Sequence, residues 1–187
     1  GVNADGDDDL AFVALTSIPG ETEIRFIDEE WNGTAFGTGE GEIVWTAPVG
    51  GVPAGTVVSL NAISGASLSA SLGSVVKGGS SYPNFGSSND GMFAIRGTRE
   101  SPIAFLTGLA SDGAAGFGTL VGTGLEAGVT ALDFSGTDGE DGDIFAYTGT
   151  RSTKSTYSSF LSLLNDPANW ISENGNGDQS TNGVDPD

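Results

Sequence analysis

Glycine is the feature that most constrains what this chain can fold into. It accounts for 31 of the 187 residues. Together with the many Ser, Thr and Asp residues, it divides the sequence into short apolar runs separated by turn-forming residues. Runs of that length are typical of strands joined by turns, because a helix needs a longer periodic stretch to bury one face. The spacing of glycine therefore predicts an all-β protein.

Eight segments have the composition of strands. They are residues 10–15, 23–28, 42–46, 56–60, 92–96, 102–106, 129–133 and 144–147. The segment 23–28 alternates polar and apolar residues for most of its length, as a strand with one face on a core does. The segments 42–46 and 56–60 flank a turn rich in Gly and Pro, which predicts a hairpin or a pair of neighbouring strands. We expect the strands to form two packed sheets.

The remaining sequence predicts one long excursion, one helix and a tail. Residues 62–91 are rich in Ser and Gly, which favours a surface excursion with at most one weak strand. Residues 155–164 place Tyr157, Phe160, Leu161 and Leu164 at helical spacing, which predicts a short amphipathic helix that ends before Pro167. We expect Trp170 to return to the core and residues 172–187 to form a polar tail. The whole chain, 1–187, is predicted to be a single domain.

Composition excludes several classes of partner and cross-link. The chain has 25 acidic and six basic residues, a formal charge of -19. That field repels nucleic acid and anionic membranes, and no apolar run is long enough to predict insertion into a membrane. Because the chain has no Cys, neither disulfides nor Cys-based metal sites can stabilise it. Its ten Phe and three Trp still provide apolar mass for one core.

The inventory of catalytic side chains is poor. With neither His nor Cys in the chain, Ser-His and Cys-His nucleophile pairs are impossible, and any general base must be a carboxylate, Lys or Tyr. A glycosidase needs only two carboxylates at a set separation. Here, however, the acidic residues fall in Gly-rich turns rather than on strand faces that line a cleft. We therefore predict that the chain is not an enzyme.

Two acidic loops have the composition of calcium sites. The first contributes Asp5, Asp7, Asp8 and Asp9, and the second contributes Asp138, Glu140, Asp141 and Asp143. Calcium binds six to eight oxygen ligands, which flexible turns rich in Asp and Gly can supply. The alternative is that Asp-Gly turns are solvated hairpin turns. We predict calcium in both loops, a weaker site at 174–178, and a solvated loop for the acidic run 28–30 beside Trp31.

Three stretches of the sequence resemble a known kind of module. Residues 3–13, 24–33 and 164–170 resemble the lamin-tail-like, immunoglobulin-like β-sandwich modules of secreted bacterial proteins. The resemblance implies an immunoglobulin-like sandwich with one short C-terminal helix. It also implies an accessory role, because such modules accompany extracellular phosphatases, nucleases, adhesins and surface-layer proteins. It carries over no catalytic residue.

The sequence departs from these modules at its start. They carry an apolar strand directly before the Asn3 loop, whereas here only Gly1 and Val2 represent it. The resemblance therefore implies that the first sheet lacks most of a strand near the N-terminus. Because an open sheet edge leaves backbone N–H and C=O groups unpaired, it invites a strand from another subunit. The alternative is a monomer in which the polar tail or residues upstream of Gly1 cover that edge.

These patterns together predict a secreted, non-catalytic structural or adhesive protein of a bacterial surface or matrix. We expect it to be stabilised by calcium and to make homotypic contacts, as a filament or a layer. The alternative is a ligand-binding accessory module of a larger secreted hydrolase of the phosphatase or nuclease type. A carbohydrate platform has no support, since its three Trp residues are widely separated in the sequence.

Overall fold

The computed structural model of the protein describes residues 1–4, 6–135 and 142–173. They form two six-stranded sheets and one short α-helix, which confirms the predicted all-β architecture of two packed sheets. The strands in chain order are β1 (Val2–Asn3), β2 (Asp9–Val13), β3 (Glu23–Asp28), β4 (Glu42–Thr46), β5 (Val57–Asn61), β6 (Ser69–Ala70), β7 (Ser74–Lys77), β8 (Gly91–Gly97), β9 (Pro102–Ala110), β10 (Ala131–Asp133), β11 (Ile144–Tyr147) and β12 (Trp170–Glu173).

The first sheet has the order β12-β11-β1-β2-β5-β6, and the second has the order β10-β9-β8-β3-β4-β7. Within the described ranges, every pairing of named strands is antiparallel except that of β9 with β10. The two-residue strand β1 lies inside the first sheet, between β11 and β2. The incomplete strand expected from the sequence is therefore an interior strand rather than an edge.

Strand boundaries follow the sequence pattern closely where a run has one clear face. The segments 23–28, 42–46 and 144–147 match β3, β4 and β11 at both ends. The predicted pairing of 42–46 with 56–60 is wrong, because β4 pairs with β3 and β7, whereas β5 pairs with β2 and β6 in the other sheet. The turn between them crosses from one sheet to the other, so proximity in sequence does not produce a hairpin here.

The excursion 62–91 is more ordered than predicted. It contributes two short strands, β6 and β7, and it buries Ile63 and Phe85 in the sandwich core. Its low hydrophobicity is misleading because a few apolar anchors suffice to hold a segment whose backbone pairs with both sheets. The tail prediction also needs correction at its start, since residues 172–173 belong to β12.

The sandwich core lies between the sheets and centres on Trp45, which is fully buried with Ile43, Val58 and Leu60. Trp170 packs against this core, as expected. The predicted helix is shorter than the pattern suggested: residues Tyr157–Phe160 form a 3-10 turn, and α1 spans Leu161–Leu164. No helix in the described residues is long and apolar enough to cross a membrane.

A second apolar cluster covers the outer face of the second sheet. Ile27, Phe93 and Ile95 point to this side, whereas their neighbours Phe26 and Ala94 point into the sandwich core. Edge-to-face aromatic contacts close the cluster; its other ring members are Trp31, Phe36, Phe105 and Phe117. Burial on both faces explains why β8 is an almost unbroken apolar run.

Candidate functional site

The first predicted calcium loop does not gather its carboxylates in the described residues. Asp7 is exposed, whereas Asp8 is buried and its Oδ2 accepts a hydrogen bond from the Phe85 N–H at 3.0 Å. Asp9 turns the other way, and its Oδ1 accepts from the Ala62 N–H at 2.8 Å. Asp5 lies outside the described residues. Two of the three described carboxylates thus bind backbone, and calcium at this loop stays a prediction.

The second predicted loop falls largely outside the described residues, which include neither Asp138, Glu140 and Asp141 nor the weaker candidate at 174–178. Asp143 is described at the start of β11, where its backbone C=O accepts from the Ala4 N–H at 2.6 Å. That bond anchors β11 against the beginning of the chain. Calcium at this loop also stays a prediction.

A different acidic cluster forms at the end of the sandwich where β3 ends and β8 begins. Asp28, Glu40 and Asp90 each bring one carboxylate oxygen within 4.8 Å of the other two. Asp28 is 0% exposed and Glu29 beside it is 6% exposed. The prediction of a solvated loop at 28–30 is therefore wrong for these two residues, although Glu30 is exposed. We call Asp28, Glu40 and Asp90 the acidic cluster.

Three successive backbone N–H groups organise the aspartates at this end of the sandwich. The N–H of Asn84 binds Asp28 Oδ2 at 2.7 Å, that of Phe85 binds Asp8 as described above, and that of Gly86 binds Asp90 Oδ2 at 2.5 Å. A segment of the Ser/Gly-rich excursion thus holds three aspartates in fixed positions: one at the end of β3 and two that immediately precede β2 and β8. Gly41 permits its approach, since a Cβ there would collide with the Tyr82 carbonyl.

Burial and mutual repulsion raise the pKa values of these carboxyl groups. The pKa of Asp28 is raised to about 8, first by burial and then by the charge of Asp90. That of Glu40 is raised to about 7 by burial and by Asp90 and Glu29, and burial raises that of Asp90 as well. The pKa of Asp8 is raised to about 6, mainly by burial. The ionised form of each group is therefore disfavoured in this environment.

The carboxylates of Glu29 and Glu42, next to the acidic cluster, differ from it because they form ion pairs with arginine. Arg99 binds Glu29 Oε2 at 3.3 Å and Glu42 Oε2 at 3.1 Å. Arg25 binds the other oxygen of Glu42 at 2.5 Å. Arg99 also donates to the backbone carbonyls of residues 37, 40 and 41. Among the residues described, no Lys or Arg forms an ion pair with the acidic cluster itself.

The inward alternation of β3 and β8 is the signal that locates two of the aspartates. Ile24 and Phe26 point into the sandwich core from β3, and Asp28 is the next inward position. Asp90 precedes the inward Met92 on β8 by two residues in the same way. Because side chains alternate along a strand, Asp28 and Asp90 are directed toward the space between the sheets. Asp8 precedes β2 with a φ of 49°, so alternation does not place it; its bond to the Phe85 N–H does.

A second unusual feature lies at the other end of β2. A cavity of about 450 Å³ opens between the sheets there, and residues 10–19 form one continuous wall. Leu161, Leu164 and Trp170 lie opposite, and the second sheet supplies Ile24, Met92, Leu109 and other apolar side chains. An apolar opening of this size is exceptional in a core that otherwise packs closely. We call the space beside β2 the strand slot.

The backbone geometry of the strand slot follows from the short β1. Gly1 exchanges two bonds with Ala11, from its amino group to the Ala11 carbonyl at 3.1 Å and from the Ala11 N–H to its own carbonyl at 2.8 Å. Because antiparallel strands direct alternate residues to opposite sides, Val13 points its N–H and C=O to the same side as Ala11. No described strand lies beside Val13 on that side, since β1 pairs only as far as Gly1.

The far side of the strand slot has the same register. Val2 pairs with Phe145 of β11, and Tyr147 is the next residue directed to that side, where its C=O accepts from Arg151 Nη2 at 3.0 Å. Beside Ala11, burial lowers the pKa of the Gly1 amino group to about 5, with a smaller contribution from Arg151.

The chain matches no protein-family model, no curated protein and no solved structure. The immunoglobulin-like and lamin-tail-like assignment therefore stays a prediction, and arguments about function depend on the geometry of the strand slot and the acidic cluster.

Proposed function

We propose that this chain is a non-catalytic structural or adhesive module of an extracellular surface or matrix, which joins neighbouring copies by accepting an extended strand into the strand slot. The observation that carries the proposal is the slot itself, an apolar cavity of about 450 Å³ next to Val13, whose backbone groups face no described strand on that side. Filling such a cavity with apolar side chains removes apolar surface from water and restores close packing.

An extended strand fits this space better than a compact ligand does. A segment that continues the line of β1 would lie between Val13 and Tyr147 and would offer backbone partners to Val13. Its alternate side chains would enter the apolar cavity. A compact apolar molecule can fill the volume, but it leaves the backbone groups of Val13 without a peptide partner. The slot therefore favours a peptide occupant with alternating apolar residues.

The other parts of the proposal follow from composition. The chain has neither His nor Cys, which removes the commonest activated nucleophiles and bases. A charge of -19 keeps separate copies apart in dilute salt. Divalent cations that bind carboxylates reduce this repulsion, so we expect assembly to depend on calcium. An extracellular location agrees with this requirement, because calcium concentrations that fill weak sites occur outside cells.

The test measures the size of the protein in solution and blocks the slot with a matched pair of proline variants. Val13 and Val57 face each other across the β2–β5 pair, and each directs its N–H away from that shared ladder. Val13→Pro removes an N–H from the slot, whereas Val57→Pro removes one from the opposite side of the pair. Light scattering of the wild-type chain in calcium should detect oligomers or filaments that Val13→Pro abolishes and Val57→Pro retains.

Two outcomes would contradict the proposal. A strictly monomeric wild-type chain at high concentration in calcium would exclude homotypic assembly, and equal assembly by both proline variants would exclude the slot as its site. Saturable binding of a small apolar probe to a monomer, lost when Leu164 is replaced by Glu, would instead favour the ligand-binding accessory module. Circular dichroism of both proline variants checks that each keeps its sheet content.

A further inference from the structure

The acidic cluster contains a buried acceptor that the protein itself leaves unmatched. Asp28 is 0% exposed, and its Oδ2 accepts the Asn84 N–H. Its Oδ1 is the one buried side-chain nitrogen or oxygen in the described residues that has no hydrogen-bond partner. A buried carboxylate oxygen without a partner is costly, since the desolvation of that oxygen is uncompensated.

The surroundings of Asp28 add negative rather than positive charge. Glu40 and Asp90 each place a carboxylate oxygen within 4.8 Å of one another and of Asp28. Arginine neutralises the adjacent Glu29 and Glu42 but forms no ion pair with the acidic cluster in the part of the chain that is described. Like charges at this separation repel strongly in a partly buried site. The cluster therefore has the donors of a cation site and lacks a cation of its own.

We propose that Asp28, Glu40 and Asp90 bind a single divalent cation, calcium. All the donors in the cluster are oxygen atoms, which calcium and magnesium prefer. Two oxygens bound to one calcium ion can be at most about 5 Å apart, given Ca–O distances of about 2.3–2.6 Å, and the spacing of the cluster lies within this limit. Zinc and copper sites usually use His or Cys, and the chain has neither.

Calcium is favoured over magnesium by the way the ligands are presented. Asp28 ends a strand, Asp90 precedes another strand, and Glu40 lies in the loop before β4. Such irregular positions suit the variable coordination number of calcium, whereas magnesium demands a near-ideal octahedron and keeps several waters. Glu40 is exposed, so the cluster also has an open side through which an ion and its waters can enter.

The backbone bonds prepare the cluster for an ion. The Asn84 N–H holds Asp28 through Oδ2 and leaves Oδ1 free to coordinate. Asp90 is held through Oδ2 by Gly86 and through Oδ1 by the Gly91 N–H at 2.7 Å. Each carboxylate oxygen has a second lone pair, so these bonds orient Asp90 without preventing coordination.

This inference goes beyond the proposed function and does not depend on it. The acidic cluster and the strand slot lie toward opposite ends of β2, and the calcium site uses no residue that lines the slot. A monomeric protein would bind calcium equally well at this cluster, so the two proposals fail in different experiments.

The experiment titrates the full chain with CaCl2 near neutral pH and follows binding by calorimetry and unfolding by heat. We expect saturable binding with a Kd between about 10⁻⁵ and 10⁻³ M and an increase of several degrees in Tm in millimolar calcium, reversed by EGTA. Matched additions of KCl control for simple screening of the net charge. An equal shift with KCl, or no saturable binding, would overturn the site.

Variants then locate the ion. Asp28→Asn keeps the shape of the side chain, and Glu40→Gln changes an exposed side chain. Both should weaken calcium binding at least about tenfold. Asp133→Asn is the matched control, because Asp133 also accepts backbone N–H bonds, from Gly113 and Ser135, but lies outside the cluster. It should leave calcium affinity unchanged.

The remaining outcomes are also decisive. Calcium binding that survives Asp28→Asn and Glu40→Gln but is lost in Asp7→Asn would place the ion in the first predicted loop and overturn the proposal. A Tm increase with MgCl2 as large as that with CaCl2 would overturn the choice of calcium. Because Glu40→Gln is not expected to affect folding, its effect on affinity remains decisive even if Asp28→Asn fails to fold.

Discussion

The regions near the two ends of β2 differ in chemistry: one is acidic and the other is apolar. At the start of β2, the acidic cluster holds an excess of negative charge on fixed carboxylates, with one buried oxygen unmatched. Along β2 and past its end, the strand slot has apolar walls, and the backbone groups of Val13 face no described strand on one side. What each region lacks identifies the chemistry of what would complete it. We propose a cation for the first and an extended apolar peptide for the second.

The same contrast exists within the acidic end itself. Among the described residues, Arg99 forms ion pairs with Glu29 and Glu42, whereas no arginine forms one with Asp28, Glu40 or Asp90. If charge balance governs the stability of this region, removing an arginine that pairs with Glu29 and Glu42 should destabilise the protein. Removing a negative charge from the acidic cluster should stabilise it. The predictions that follow test this difference, and then the corresponding difference in packing, in order of decreasing effect.

Replacing Arg99 by Met should produce the largest loss. Its side chain is 16% exposed, and those of Glu29 and Glu42 are 8% and 7% exposed. The change leaves both carboxylates partly buried with less compensation, which should lower the free energy of unfolding by about 3–5 kcal/mol. Arg151→Met changes an exposed arginine and should cost under about 1 kcal/mol. Equal losses in urea denaturation would show that charge balance does not govern this end.

Removing the charge of Asp28 should have the opposite sign when no calcium is present. The pKa of Asp28 is about 8 in the folded protein, well above that of an ordinary aspartate. Between about pH 4 and pH 8 the folded state therefore binds more protons than the unfolded state, and this group's contribution to stability is lost as the pH rises.

We therefore expect Asp28→Asn to be as stable as the wild-type chain near pH 4 in EGTA and more stable toward pH 8, by up to about 4 kcal/mol. The measurement is the difference in free energy of unfolding between the two proteins across this range. Using the difference cancels the titration of shared groups that do not interact with Asp28, such as the Gly1 amino group. A difference that does not grow with pH would contradict the assigned environment of Asp28.

Replacing alanine by leucine, which adds three carbon atoms, should have opposite effects on stability in the strand slot and in the aromatic cluster of the second sheet. Ala14 lines the strand slot, whereas Ala131 is fully buried in the aromatic cluster on the outer face of the second sheet. Ala131→Leu should overpack its site and lower the free energy of unfolding by about 1–3 kcal/mol. Ala14→Leu should raise it by about 1–2 kcal/mol, because the new side chain fills existing apolar space.

Urea denaturation of both leucine variants measures the effect. A loss of stability in Ala14→Leu similar to that in Ala131→Leu would show that the slot is already packed and would remove the basis of the strand proposal. Ala14→Leu should also reduce assembly, since the leucine occupies space that an inserted strand would use. The effect of Ala14→Leu on assembly therefore tests whether a strand from another copy occupies the cavity.

Local sequence determined the class of the protein. The glycine-separated apolar runs produced an all-β chain, and alternation along β3 predicted its boundaries, because the period of two is imposed by the strand itself. The same alternation places Asp28 at the next inward position of β3 after Ile24 and Phe26. Read in that way, the run 28–30 would not have been predicted to be solvated.

Only the tertiary structure decided which carboxylates meet and which strands lie next to each other. Asp28 and Asp90 are far apart in sequence, and the N–H groups that hold them come from residues 84–86 in an excursion of low hydrophobicity. Likewise, the two residues of β1 look like a frayed terminus in the sequence, yet they lie in the interior of a sheet. Local sequence patterns predict the side of the sheet to which a side chain points. The residues that it contacts there depend on strand order, which is set by long-range packing.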